Sequence, residues 1–227
     1  LNKQYTNTHS KNINLRASLE PLKDVSIELS ATKTFGTNTG EFYRWNPLSS
    51  AYESQSRVET STLTYSNVSI GSAFVKLGNE YQSSTFDKML SNRTEVSRSL
   101  GEQHGNSALQ QSGYYSGYGG AQQEVVMGAF LTSYTNRGIS DKNINPIKNL
   151  PLPNWSINYN GLKNFEFMKK ILRNFVLRHA YTSTVSVSGM QTNLNAEFDS
   201  NGDPVARDLN NNFISGMQVQ NIVVSER

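Results

Sequence analysis

The chain has 227 residues, 36% hydrophobic and only 17% charged, with a formal net charge of +3, a pI near 9.0 and a mean hydropathy of −0.55. Ser, Asn, Thr, Gln and Gly dominate the remainder, so the polarity is largely uncharged, as in a Ser/Asn-rich extracellular β-protein or a barrel with apolar outer and polar inner strand faces. Dispersed Lys and Arg disfavour nucleic-acid binding, the absence of Cys excludes disulfides, thiolate zinc sites and Cys nucleophiles, and no run approaches the ~18 apolar residues of a transmembrane helix.

The sequence opens on Leu1-Asn2-Lys3-Gln4, with no initiator Met and no apolar export segment, and closes directly after a strand pattern. It is therefore expected to be an internal piece of a longer protein. The first element has period two: Ile13, Leu15, Ala17 and Leu19 alternate with Asn12, Asn14, Arg16 and Ser18. Glu20-Pro21-Leu22-Lys23-Asp24 reads as a turn. A second strand follows, with Val25, Ile27, Leu29, Ala31 and Phe35 on one face, interrupted by Lys33, and Ser26, Glu28, Ser30, Thr32 and Thr34 on the other. Twelve such residues, at ~3.3 Å each and tilted by ~40°, climb about 30 Å, enough to span an outer-membrane apolar band.

Gly36 to Gln55 reads as a loop near an aromatic girdle, carrying Phe42, Tyr43, Trp45 and Tyr52. A third strand is expected from Thr60 to Val75, with a change of phase around Asn67 that suggests a bulge or burial on both faces. Helical spacing then takes over at Phe86, Met89, Leu90, Val96 and Leu100, after the cap-like Ser83-Ser84. It returns at Val125, Val126, Ala129, Phe130 and Tyr134. The prolines of Asn145-Pro146 and Leu150-Pro151-Leu152-Pro153 require an extended connector. Trp155, Ile157 and Tyr159 form a short strand, and Phe165, Met168, Ile171 and Leu172 a turn or two of helix. Strand alternation resumes from Phe175 to Phe198, turns at Asp199 to Pro204, and returns from Phe213 to Val224.

Catalytic and metal constellations are absent from this pattern. His9, His104 and His179 are far apart, and none has a partner at ligand spacing; His179, mid-strand, is expected to be packed or lumenal. Asp199-x-Asn201-x-Asp203 begins like a calcium loop, but Pro204 stands where Gly is needed and no Glu closes it, so a polar turn is expected. The Gly-rich stretch Ser112 to Gly120 precedes a helix but lacks the strand and the Lys-Ser/Thr of a phosphate loop, so it reads as a flexible loop. No enzymatic activity and no cofactor are expected.

Several blocks resemble one family. Pro151-Leu152-Pro153-Asn154-Trp155, then Tyr159-Asn160-Gly161-Leu162, then Leu177-Arg178-His179-Ala180-Tyr181-Thr182-Ser183-Thr184 are similar to the SprA/Sov family, outer-membrane translocons of the Bacteroidota type IX secretion system. Pro21-Leu22-Lys23-Asp24, Glu41-Phe42-Tyr43-Arg44-Trp45, Gly117-Tyr118-Gly119 leading to Gln123-Glu124-Val125, and Ala129-Phe130-Leu131 agree in kind and order. The resemblance implies a single-chain barrel of roughly 36 strands that exports folded cargo in secretion and gliding motility. It also implies three kinds of partner: a PorV-like shuttle protein, a periplasmic plug protein and the secreted cargo proteins.

The expected fold is thus all-β, a fragment of a large transmembrane antiparallel β-barrel in the outer membrane with a helical insertion. Barrel strands are expected over 1–75, with an extracellular loop near 36–55. A helical and extended insertion, expected to be periplasmic if the Pro21 turn is, covers 76–172, and further strands cover 173–227 with a hairpin loop near 199–212. Val25, Ile27, Leu29 and Ala31 are expected to face lipid, and Ser26, Glu28, Ser30 and Thr32 the lumen. A secreted β-sandwich adhesin or binding module is the rival from another class, and a porin or TonB-dependent receptor the rival among transporters.

Overall fold

Alternation builds the first hairpin, which extends well past its apolar half. The computed structural model describes residues 4–106, 108–171, 175–201 and 203–227. β1 (Tyr5–Leu22, 18 residues) and β2 (Val25–Asn46, 22 residues) pair antiparallel from Leu22↔Val25 up to Tyr5↔Glu41. Asp24 closes the turn between them at φ 65°, a left-handed conformation that Asp tolerates. The loop expected near 36–55 is instead mostly strand: β2 runs to Asn46, and β3 (Ala51–Ser66) returns beside it after a four-residue turn. Thr37, Asn38 and Thr39 oppose Ser61, Thr60 and Glu59, so polar cross-strand pairs continue the ladder where the apolar alternation ends. Trp45 meets Tyr52 edge-on near the turn, with ring centroids 5.2 Å apart.

The third column of the sheet is split. β3 stops at Ser66, and the same column resumes at β4 (Asn154–Tyr159): Lys33 to Asn46 of β2 pair with β3, Val25 to Ser30 with β4. The Leu152 N–H donates to the Ser66 carbonyl at 2.9 Å and closes the excursion. The next column is divided at Thr182, with β5 (Leu177–Tyr181) beside β4 and β6 (Ser183–Thr192) beside β3. The last consists of β7 (Met217–Gln218) and β8 (Asn221–Glu226), both antiparallel to β6. The result is an up-and-down meander of five columns, curled like half a barrel, in a chain with 42% strand and 23% helix. The fold is therefore mostly β rather than all-β.

Four strand boundaries differ from expectation. The phase change near Asn67 coincides with burial on both faces, since Tyr65, Ser66 and Asn67 are all buried in succession, and with the end of β3, whose ladder takes one last bond from the Asn67 N–H to the Ser183 carbonyl at 3.0 Å before the chain exits. The long strand expected from Phe175 breaks at Thr182 and ends at Thr192, and the return strand from Phe213 shrinks to β7 and β8. The insertion spans 67–153 rather than 76–172, so Trp155 to Tyr159 belong to the sheet. Leu172 lies outside the described residues.

The excursion folds into a helical unit of α1 (Ile70–Ala73), α2 (Ser84–Gln103), α3 (Gln123–Tyr134) and α4 (Asp141–Ile144). The Ser83 side chain caps α2 by accepting the Phe86 N–H at 3.3 Å. Val96, Ala129 and Ile144 join α2, α3 and α4 in one small core, where a Cβ on Gly128 would come within 2.8 Å of Val96. Leu131 of α3 packs on the sheet against Leu63, Tyr65, Val185, Val187 and Met190. After β4, α5 (Glu166–Ile171) lies between β4 and β5 in the chain. Among the described residues no helix is long and apolar enough to cross a membrane, which says nothing of strands.

Candidate membrane wall and lumenal groove

Directly opposed residues in an antiparallel ladder share a face, so rows can be followed across the sheet. Leu19, Ile27, Ile157 and His179 form one row, and Ala17, Leu29, Trp155 and Tyr181 the next. Val25, Ile27, Leu29 and Ala31 therefore lie on the apolar face, and Ser26, Glu28, Ser30 and Thr32 on the opposite one. On the apolar face Val25, Ile27 and Leu29 are half-buried, while Leu15 is 58% and Leu22 71% exposed on β1. Ala31 departs from the expected lipid-facing set: it is only 6% exposed. It sits at the height where the helical unit leaves and rejoins the sheet, since the Thr32 N–H donates to Ser66 Oγ at 3.0 Å and Ser66 Oγ donates to the Leu152 carbonyl at 2.7 Å.

The apolar face is thus divided by height. From Ile13 down to Leu22 on β1, nine residue steps at ~3.3 Å and ~40° tilt measure about 23 Å, and no helix of the inserted unit reaches this stretch through the described cores. At its upper edge, Lys33 stands opposite Ile13 and donates to the carbonyls of Ile147 and Asn149 at 2.7 and 2.6 Å. In the same row Tyr65 and Val185, and in the next apolar row up Leu63 and Val187, are covered by α3.

On the other face the lower sheet carries a groove of about 710 Å³, lined by Arg16, Ser18, Glu28, Ser30, Ser156 and Arg178. This groove fits a sheet that curls toward its polar face. Two guanidinium groups, one carboxylate and several hydroxyls stand in the groove's lining beside the apolar Ala17, Leu29, Trp155 and Ala180.

A polar junction fastens the helical unit at the dividing height. Arg137 donates to Asn67 Oδ1 from Nε and Nη2 at 3.0 and 2.7 Å, to Asn149 Oδ1 at 2.9 Å and to the Leu150 carbonyl at 2.9 Å. Burial lowers the pKa of this guanidinium, and carbonyl oxygens surround the charge that an arginine keeps in proteins. The Ser69 N–H donates to Tyr181 Oη at 2.7 Å, and Tyr181 donates onward to Glu226 at 3.1 Å. Nothing in the local sequence around Arg137 signals this role, because its partners are up to 70 positions away.

The three histidines are not brought together. His179 lies on the apolar face rather than in the groove, exposed and accepting at Nδ1 from Trp155 Nε1 at 3.3 Å. His9 borders a crevice with Lys11, Lys33 and Ile147. His104 gains a partner that the sequence spacing concealed: its Nδ1 lies 2.6 Å from Asp203. The Asp199 carboxylate accepts the N–H groups of Asn201 and Asp203 at 2.8 and 2.9 Å, the polar turn that was expected. In the Gly-rich stretch, Gly117 has φ +88° and a Cβ there would meet the Phe213 ring at 2.3 Å, so this segment is packed rather than free. Among the described residues no group of three or more His, Asp or Glu could hold a metal.

No family model matches the chain, and no curated protein matches it.

Proposed function

We propose that this chain forms part of the wall of an outer-membrane protein-conducting barrel, with its convex apolar face toward lipid and its concave polar face toward a hydrated lumen. The observation that carries this reading is the apolar stretch of about 23 Å left uncovered along β1, close to the ~25 Å band of outer-membrane barrels, backed by the groove that Arg16, Glu28 and Arg178 line. The up-and-down antiparallel order supports it, because that topology closes into barrels without crossovers. Five columns are too few to enclose a passage for folded cargo, so conduction belongs to the larger barrel. The similarity to SprA/Sov blocks makes type IX secretion the favoured pathway, with a PorV-like shuttle, a plug protein and exported cargo as its partners.

The wall reading also fixes relative sidedness. The Lys23–Asp24 turn and the helical unit lie beyond opposite ends of the apolar stretch, so they belong on opposite sides of the membrane. With the short turn periplasmic, as is usual in such barrels, the helical unit is extracellular, in place of the periplasmic insertion expected from the linear order.

Single cysteines in β2 test the wall in the full parent chain, with any other cysteines replaced. Ser26→Cys and Ser30→Cys should react with a water-soluble maleimide in intact membranes, whereas Ile27→Cys and Leu29→Cys should react only after detergent, because thiolate does not form readily in hydrocarbon. Labelling at all four positions would make this a soluble surface strand, as in an adhesin. Protection at all four would make it a packed core.

A further inference from the structure

We propose that residues 70–86 of the helical unit form a foot that seats in the headgroup and acyl boundary of the lipid leaflet beside the wall; this rests on the wall reading above. The argument begins with the direction of the helices. α3 is pinned high on the sheet by Gln123, whose side chain bonds the Met217 carbonyl and the Val219 N–H, beside the upper end of β6. It is pinned low at its C-terminus, where the Tyr134 carbonyl accepts from Ser72 Oγ at 2.6 Å. Ser69 in turn bonds Ser183 Oγ at 3.1 Å, at the lower end of β6. So α3 descends toward the uncovered apolar stretch.

α2 runs the other way beside it. Asn92 donates to Thr132 and Ser133, both at 3.1 Å, and Val96 packs with Ala129 one helical turn higher. The seven residues from Asn92 back to Thr85 therefore carry the start of α2 about 10 Å below the level of Thr132, past the end of α3. The segment joining α1 to α2 lies at this lowest edge of the unit, next to the top of the apolar stretch.

Its composition is out of place for a water-exposed edge. Ile70, Phe74, Val75, Leu77, Tyr81 and Phe86 are all exposed, Phe74 at 73% and Tyr81 at 86%. Farther up α2 the exposed face is charged, with Arg98 bridging Glu95 and Glu102. Apolar and aromatic side chains interspersed with single charges such as Lys76, Glu80 and Lys88 suit the membrane boundary, where rings sit at headgroup depth and lysines reach outward. Continuity selects lipid over a protein partner: the patch borders a surface that already requires lipid, on the same convex side.

The test uses the parent chain in nanodiscs containing lipids spin-labelled either near the headgroup or at the acyl end. An environment-sensitive fluorophore is attached at Leu77→Cys, at Leu15→Cys in the apolar stretch, or at Ser91→Cys on exposed α2. The expected result is quenching of the Leu77 site by the shallow label, of the Leu15 site by the deep label, and of the Ser91 site by neither. If the Leu15 site is quenched while the Leu77 site is not, the foot is overturned and the wall stands. In that case a blue-shifted Leu77 emission identifies a protein covering the segment, and a red-shifted emission identifies water. If the Leu15 site escapes the deep label, the wall reading itself falls, and the foot falls with it.

Discussion

The lower and upper halves of this sheet share one alternation but are covered differently. Below Lys33, the apolar face of β1 presents Leu15, Leu19 and Leu22 outward; from the Lys33 row upward, Tyr65, Val185, Leu63 and Val187 lie under α3 and are almost inaccessible. The upper half is organised as a water-soluble protein is, with the chain supplying its own cover. The lower half is complete only when something else supplies it. The dividing height is set by polar chemistry, since Lys33 binds two carbonyls and Arg137 holds Asn67 and Asn149. Period two in a strand thus shows that one face avoids water without showing what that face meets.

The strongest way to break this comparison is truncation in the covered half. Leu63→Ala should cost about 2–5 kcal/mol in a refolding titration, through lost burial and a cavity under α3. Leu15→Ala should cost far less in detergent solution. Similar losses at both sites would mean that the lower face is packed against protein.

A charge probes the uncovered half more sharply. Leu29→Arg should cost about 2–4 kcal/mol in a bilayer if it lies near the midplane, and Ser30→Arg, in the polar groove, close to nothing. Equal costs, measured by denaturant titration in lipid vesicles, would erase the distinction between the two faces.

The smallest effect concerns pH and belongs to the upper half alone. Glu124, at the start of α3, has its carboxyl pushed above the ordinary carboxylate range, chiefly by burial, and its Oε2 finds no hydrogen-bond partner among the described residues. The folded protein then holds a proton that the unfolded chain has released, so stability falls as pH rises from the ordinary carboxylate range through the raised value. Glu124→Gln should flatten that slope in a series of unfolding titrations at stepped pH. An unchanged slope would show that the Glu124 carboxyl does not set it.

The sequence made the lower hairpin legible because its two faces differ in polarity at every step from Val25 to Ala31. It concealed the upper part of β2, where Thr37, Asn38 and Thr39 are polar on both faces and Gly36 and Gly40 look like loop. Cross-strand pairing, not alternation, makes that region a strand. The helices of the unit were readable from their spacing, but not its place in the fold. β4 looked like part of the insertion because the partner that joins it to the sheet, β2, lies more than a hundred positions earlier in the chain. The His104–Asp203 contact and the Arg137 junction were hidden for the same reason.

The split column also has a kinetic consequence. Ser66 and Leu152 are 86 positions apart and must meet before β4 can extend the line of β3. Closing a flexible loop of that length costs about 4 kcal/mol in chain entropy. A helical unit that has already folded brings its two ends together and removes most of that barrier. The unit therefore acts on the order of assembly: the first hairpin can zip from its turn by local contacts, whereas the third and fourth columns wait for the helices. A defect in the small core of Val96, Ala129 and Ile144 would delay strand pairing on a sheet that those residues do not touch.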